Sequence, residues 1–209
     1  MQEIHYGLIL LAALVAMASP GPATLAIANT SMSHGRTSGL LLASGILTGS
    51  LFWSCAAALG MGAVMYANVW LFDMLRYLGG VYLLYLAYKS FLSMGQKGIK
   101  LEPNRREGGK GNRLYLRGLM IHLTNPKAIL LLGSIYALGV PKNSHVLALL
   151  PLILLLGLQS AIVVFGYALL FSNPKIRVTY FKLKRLFDGV FTVFFGMAGL
   201  KLLWSPLSD

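Results

Sequence analysis

The chain has 209 residues, of which 56% are hydrophobic and only 11% charged, against roughly 25% charged in an ordinary soluble domain. With a mean hydropathy of +0.69, this excludes a water-soluble globular protein and indicates an integral membrane protein. The 18 Lys and Arg outweigh the 6 Asp and Glu for a net charge of +12, yet the positives sit in loops flanking apolar segments, which signals membrane topology and argues against a nucleic-acid partner.

The first apolar segment is read as a helix from Tyr6 to Ala28. Ala16-Met17-Ala18 has the small-x-small form of a cleavage site, but Glu3 and His5 stand where a signal peptide carries a basic region. The helix is interrupted at Ser19-Pro20-Gly21-Pro22. Each proline removes a backbone donor and disfavours helical geometry in the residue before it. Inside hydrocarbon such a break is tolerated only where the freed groups are buried in protein or face a watery cavity. The alternatives are a plain kink and a ligand site.

A polar turn from Thr30 to Thr37, with His34, Gly35 and Arg36, leads to a second helix from Gly39 to Tyr66. Gly45 and Gly49 stand four apart on it, a spacing that lets two helix backbones approach closely. Ser44, Thr48 and Ser50 either line a cavity beside it or bond to backbone carbonyls one turn back. Cys55, the single cysteine, is expected to be buried and inert; one thiol allows no redox pair and no cysteine metal cluster within the chain.

The third helix is placed from Val69 to Leu92. Asp73 and Arg76 share a face in its first turns, either as an interfacial ion pair or as a functional group. Residues 95–112 form a basic linker between residues 1–94 and 113–209. The fourth helix, Leu114 to Val140, is interrupted at Asn125-Pro126. The fifth runs from Val146 to Phe171. A second basic loop, with Lys175, Arg177, Lys182, Lys184 and Arg185, precedes a sixth helix from Leu186 to Trp204.

Three helices, a linker and three more helices predict an all-α membrane protein of six transmembrane helices in two inverted three-helix repeats, with helices 1 and 4 broken. Pro20 and Pro126 interrupt the first helix of each half, and Leu71-Phe72-Asp73 recurs as Leu186-Phe187-Asp188. Matched interruptions in corresponding helices point to a transporter's binding site. Pro20, Gly21, Pro22, Asn125, Pro126 and Lys127 are therefore the candidate substrate-binding residues. The Lys and Arg distribution puts the linker in the cytoplasm and both termini outside it.

Ser19-Pro20-Gly21-Pro22, His34-Gly35-Arg36, the run Tyr77-Leu78-Gly79-Gly80-Val81-Tyr82 and Leu123-Thr124-Asn125-Pro126-Lys127-Ala128 resemble the lysine/homoserine exporter (LysE/RhtB) family of bacterial amino-acid efflux proteins. The resemblance covers nearly the whole chain. It implies export of amino acids or close derivatives across the bacterial inner membrane against entry of protons, with no enzymatic activity. The chain departs from the family at Ala23, where members often carry Asn, so one side-chain amide is missing from the site.

The residues themselves are compatible with that implication. Half-helix N-termini offer partial positive charge to a carboxylate, and free carbonyls accept from an ammonium group. Pro22 and Pro126 suit the first helical position, and Lys127 is placed to pair a carboxylate, the alternative being a lysine that reaches toward the interface. For a coupling proton the candidates are Asp73, Asp188 and His122, the last on the same face as Pro126 and with a side chain that titrates near neutrality; the bland alternative makes the aspartates helix-end anchors. Metal or other cation export would want clustered His, Cys or carboxylates, and the chain has 4 His and 1 Cys. A non-transporting scaffold would need no paired breaks. No cofactor or metal is expected; the expected partners are an amino-acid-like substrate, membrane lipid and a second copy in a homodimer.

Overall fold

A computed structural model describes residues 4–19, 21–67, 69–95, 111–141, 144 and 146–204. Among them every regular element is helical. The order is α1 (Tyr6–Ala18), α2 (Pro22–Ala67), α3 (Val69–Met94), α4 (Gly111–Leu123), α5 (Pro126–Gly139), α6 (Leu150–Phe171) and α7 (Pro174–Trp204), with a 3-10 turn at Val146–Leu149 before α6. Residues 96–110 of the expected linker, and Pro20, lie outside the described residues.

Both expected interruptions are present. The first apolar segment divides at Ser19, which turns to extended backbone (φ −69, ψ 131). In the second half, α4 and α5 are bent by 55° at the Asn125 break. Helix α2 is itself divided at Gly35, whose φ of 80 and ψ of −179 lie in a region that only glycine enters freely. The two arms fold back on each other there, because Ser31 and Gly39 are in contact across the break. The turn expected around Gly35 is thus a single glycine rather than an eight-residue loop.

The start of the last helix differs from expectation. The basic stretch from Lys175 to Arg185 is the first third of α7 rather than a loop. Asn173 begins it: its Oδ1 accepts from the Lys175 N–H at 2.9 Å, a standard helix N-cap, followed by proline where its missing N–H costs nothing. Lysine and arginine are good helix formers, so a run of positive charge does not end a helix.

Among the described residues three stretches, Pro22–Gly60 (divided at Gly35), Leu147–Phe171 and Lys182–Trp204, are by length and composition apolar enough to cross a membrane, and the bent α4–α5 pair, taken as one span, makes a fourth. Burial follows helical periodicity, as along α6: Leu152, Leu156, Ser160, Val164 and Ala168 point inward, while Leu154, Leu158 and Ile162 are exposed. In lipid, helices associate through close packing rather than through the hydrophobic effect. The glycines supply that closeness. A Cβ at Gly45 would strike the Tyr115 carbonyl of α4, and one at Gly118 of α4 would strike the Leu42 carbonyl of α2. Ser44 and Thr48 donate to the Leu41 and Ser44 carbonyls of their own helix at 2.8 and 3.1 Å, and Thr48 Oγ1 also accepts from the Tyr115 hydroxyl of α4 at 3.0 Å. Cys55 is exposed on the outer face of α2 rather than buried.

Candidate functional site

The two breaks meet. Where α1 stops, its last carbonyls lose the intrahelical donors that a continuing helix would supply, and both are satisfied from the other half of the chain. The Ala18 carbonyl accepts from the Tyr167 hydroxyl of α6 at 2.7 Å. The Ser19 carbonyl accepts from Lys127 Nζ, also at 2.7 Å. A cation at the C-terminal end of a helix is favoured by the helix dipole, which gives this lysine a reason to turn away from the start of its own helix.

The two new helices are capped locally. Asn125 Oδ1 accepts from the Lys127 N–H at 3.0 Å, with Pro126 in the first turn. On the other side Thr24 Oγ1 accepts from the Gly21 N–H at 2.8 Å and lies 3.0 Å from the Gly21 carbonyl, to which it donates. Gly21 leaves room for the lysine: a Cβ there would meet Lys127 Cδ at 3.2 Å.

A cavity lies between these breaks, walled also by the second arm of α2 and by α6. Ser19, Gly21, Asn125 and Lys127 line it, together with Thr24, Ser50, His122 and Ser160 and an apolar remainder that includes Ile46, Leu131 and Val164. Four of the sequence-derived site residues are thereby at or beside one cavity: Gly21, Asn125, Lys127 and His122. Pro22 and Pro126 open the helices next to it. Among the described residues Lys127 is its one charged lining residue.

Of the three residues considered for a coupling proton, the two whose side chains are described, His122 and Asp188, are not brought together. His122 lines the cavity, lies against Gly49, and its Nδ1 has no hydrogen-bond partner among the described residues. Asp188 is elsewhere, buried on α7 and paired with Lys184 at 2.6 Å, and is not among the cavity's lining residues. Asp73 is a residue of α3; its side chain, like that of Arg76, lies outside the described ones. No group of three or more His, Cys, Asp or Glu that could hold a metal ion is found among the described residues.

Sequence reasoning missed Tyr167 and Ser160. Nothing local marks Tyr167, an aromatic residue in an apolar helix. Ser160 does carry a signal, as the one polar member of the inward-facing i, i+4 series of α6.

The model of the LysE type translocator family matches residues 14–205. The chain is similar to the threonine efflux protein of Escherichia coli (strain K12), 28% identical over 193 residues that cover 92% of this chain and 94% of that protein. It is 35% identical to the leucine efflux protein of Enterobacter sp. (strain 638) over 119 residues, 56% of this chain and 54% of that one. The leucine efflux protein of Klebsiella pneumoniae is 30% identical over 146 residues, 68% of this chain and 66% of that one. No solved structure matches. With apolar spans on either side of a pair of matched helix breaks, and with the family model covering all but the ends of the chain, this multi-pass membrane protein belongs to the LysE type translocator family.

Proposed function

We propose that the protein exports amino acids or closely related small metabolites across the bacterial cytoplasmic membrane, driven by proton entry. The observation that carries this reading is Lys127: a cation in the cavity, held by the Ser19 carbonyl at 2.7 Å, with no acidic residue in the cavity's lining among the described residues. A buried charge without a counter-charge is expensive, and a substrate carboxylate supplies one. The starts of α2 and α5 add the positive end of two helix dipoles. The substrate's ammonium group is then left to backbone carbonyls and hydroxyls. The activities for which the relatives are named, threonine and leucine efflux, agree with such a ligand. A cation exporter would place a negative group where Lys127 stands.

In this reading Gly21, Pro22, Asn125, Pro126 and Lys127, with Pro20 beside them, form the substrate site. The breaks belong to two inverted three-helix repeats, residues 1–94 and 113–209, joined by the 95–112 linker in the cytoplasm, with both termini outside. Of Asp73, Asp188 and His122, we assign the coupling proton to His122, because it lines the cavity and Asp188 does not; the Asp73 side chain lies outside the described ones. The protein works as a homodimer through a small-residue face.

Efflux of a panel of radiolabelled amino acids from cells overproducing the protein, against cells producing Lys127→Met at equal level, tests the reading. Export of at least one amino acid that Lys127→Met abolishes supports it. Wild-type export of none of the panel sinks it.

A further inference from the structure

The cavity contains hydroxyl groups beyond those that its own backbone consumes. Asn125 Oδ1 is spent on the Lys127 N–H, and the Thr24 hydroxyl is spent in both directions on Gly21. Three further lining serines are not spent in this way among the described residues: Ser19 at the break itself, and Ser50 and Ser160 within helices. Several helical hydroxyls of this protein bond back to the carbonyl one turn earlier, as do Ser134 to Leu130 and Ser172 to Ala168, both at 2.6 Å, and Thr192 to Asp188 at 2.8 Å. This is the usual way to satisfy a hydroxyl in an apolar helix. Neither Ser50 nor Ser160 makes such a bond among the described residues, although both are buried within the protein, at 5% and 3% exposure, and both line the cavity.

The two serines come from different walls, Ser50 from the second arm of α2 and Ser160 from α6, and these helices pack against each other. Around them the cavity is apolar: Ile46, Val163 and Val164 are among its lining residues. Hydroxyls set in an otherwise apolar wall make that wall selective. A ligand hydroxyl placed there both donates and accepts, while a methyl group of the same size leaves buried polar groups unpaired.

Resting on the amino-acid reading above, we propose that Ser50 and Ser160 are the specificity-determining pair of the site, reading a hydroxyl on the substrate side chain. The preferred substrate is a small amino acid with an uncharged, hydroxyl-bearing side chain. Its carboxylate goes to Lys127 and its side chain to the serine pair. A basic side chain finds no carboxylate among the described lining residues.

Threonine and valine have nearly the same shape and differ by hydroxyl against methyl, so they isolate this recognition. Transport of each by purified protein in proteoliposomes is compared for wild type, Ser50→Ala and Ser160→Ala, with lysine as a third substrate. A site built to bond a hydroxyl rejects the analogue that lacks one far more strongly than an apolar pocket separates near-isosteres. The expected wild-type preference for threonine over valine is therefore at least about tenfold in kcat/KM. Each alanine variant is expected to lose most of that preference by losing threonine transport while keeping valine transport, a split that loss of folding does not produce. Equal wild-type transport of threonine and valine, lysine carried as well as threonine, or unchanged preference in both variants overturns the proposal and leaves amino-acid export standing. Absence of transport for every amino acid tried overturns both.

Discussion

Lys184 and Asp188, one turn apart on α7, form an ion pair of 2.6 Å whose side chains are 7% and 2% exposed. The remaining Lys184 donors reach the Ser93 carbonyl at 2.8 Å and the Ser93 hydroxyl at 2.7 Å, so one buried cation ties the start of the last helix to the end of α3. Removing one partner of a buried pair leaves the other charge uncompensated, at a cost of about 3–5 kcal/mol, whereas replacing both with apolar residues is often nearly neutral. Asp188→Leu is expected to lower the thermal unfolding midpoint in detergent more than the double variant Lys184→Met with Asp188→Leu. Equal midpoints mean that the pair contributes no such coupling.

Lys127→Met is expected to weaken substrate binding by roughly tenfold to a hundredfold, from the 1.5–3 kcal/mol typical of a hydrogen bond to a charged group. Gly21→Ala acts on the same lysine more gently, since its Cβ meets Lys127 Cδ at 3.2 Å and the chain must shift by a few tenths of an ångström. Scintillation-proximity binding of the transported amino acid measures both. Wild-type affinity in Lys127→Met removes the lysine from the site.

Gly45 and Gly118 hold α2 and α4 together at backbone contact, where a larger side chain cannot be absorbed by a rotamer change. Gly118→Val and Gly45→Val are expected to abolish a monodisperse size-exclusion peak, while Gly166→Ala, with nothing within 4 Å of the added carbon, leaves yield and profile unchanged. A folded Gly118→Val protein contradicts the packing.

His122→Gln is expected to keep binding substrate while losing the response of efflux to an imposed pH gradient, because an amide preserves much of the imidazole's hydrogen bonding but takes up no proton. Proteoliposomes with an acidic exterior relative to the side from which substrate leaves read this directly. If the gradient still accelerates efflux, the coupling proton travels elsewhere.

Orientation is tested with Asn112→Cys, an exposed position at the start of α4, in a Cys55→Ala background that removes the exposed native thiol. An impermeant maleimide is expected to label it only after the cells are permeabilised. Labelling in intact cells inverts the topology.

The sequence by itself determined what is chemically local. A proline that cannot donate, a glycine that tolerates positive φ and small residues four apart act through their own backbones, so the breaks beside Pro22 and Pro126, the fold-back at Gly35 and the close packing at Gly45 were all legible. Asn-Pro-Lys shows where that ends. The tripeptide occurs twice, at Asn125 and at Asn173, and each time the asparagine caps the lysine N–H, at 3.0 and 2.9 Å. Locally the two are the same. Lys127 nevertheless lines the cavity and bonds to a carbonyl 108 residues away, while Lys175 is exposed. The burial of Lys184 with Asp188, the pairing of Tyr167 with α1 and the setting of Ser160 have the same origin. Whether a polar side chain faces a partner, a cavity or the outside depends on which distant helix is packed beside it, and only the tertiary structure decides that.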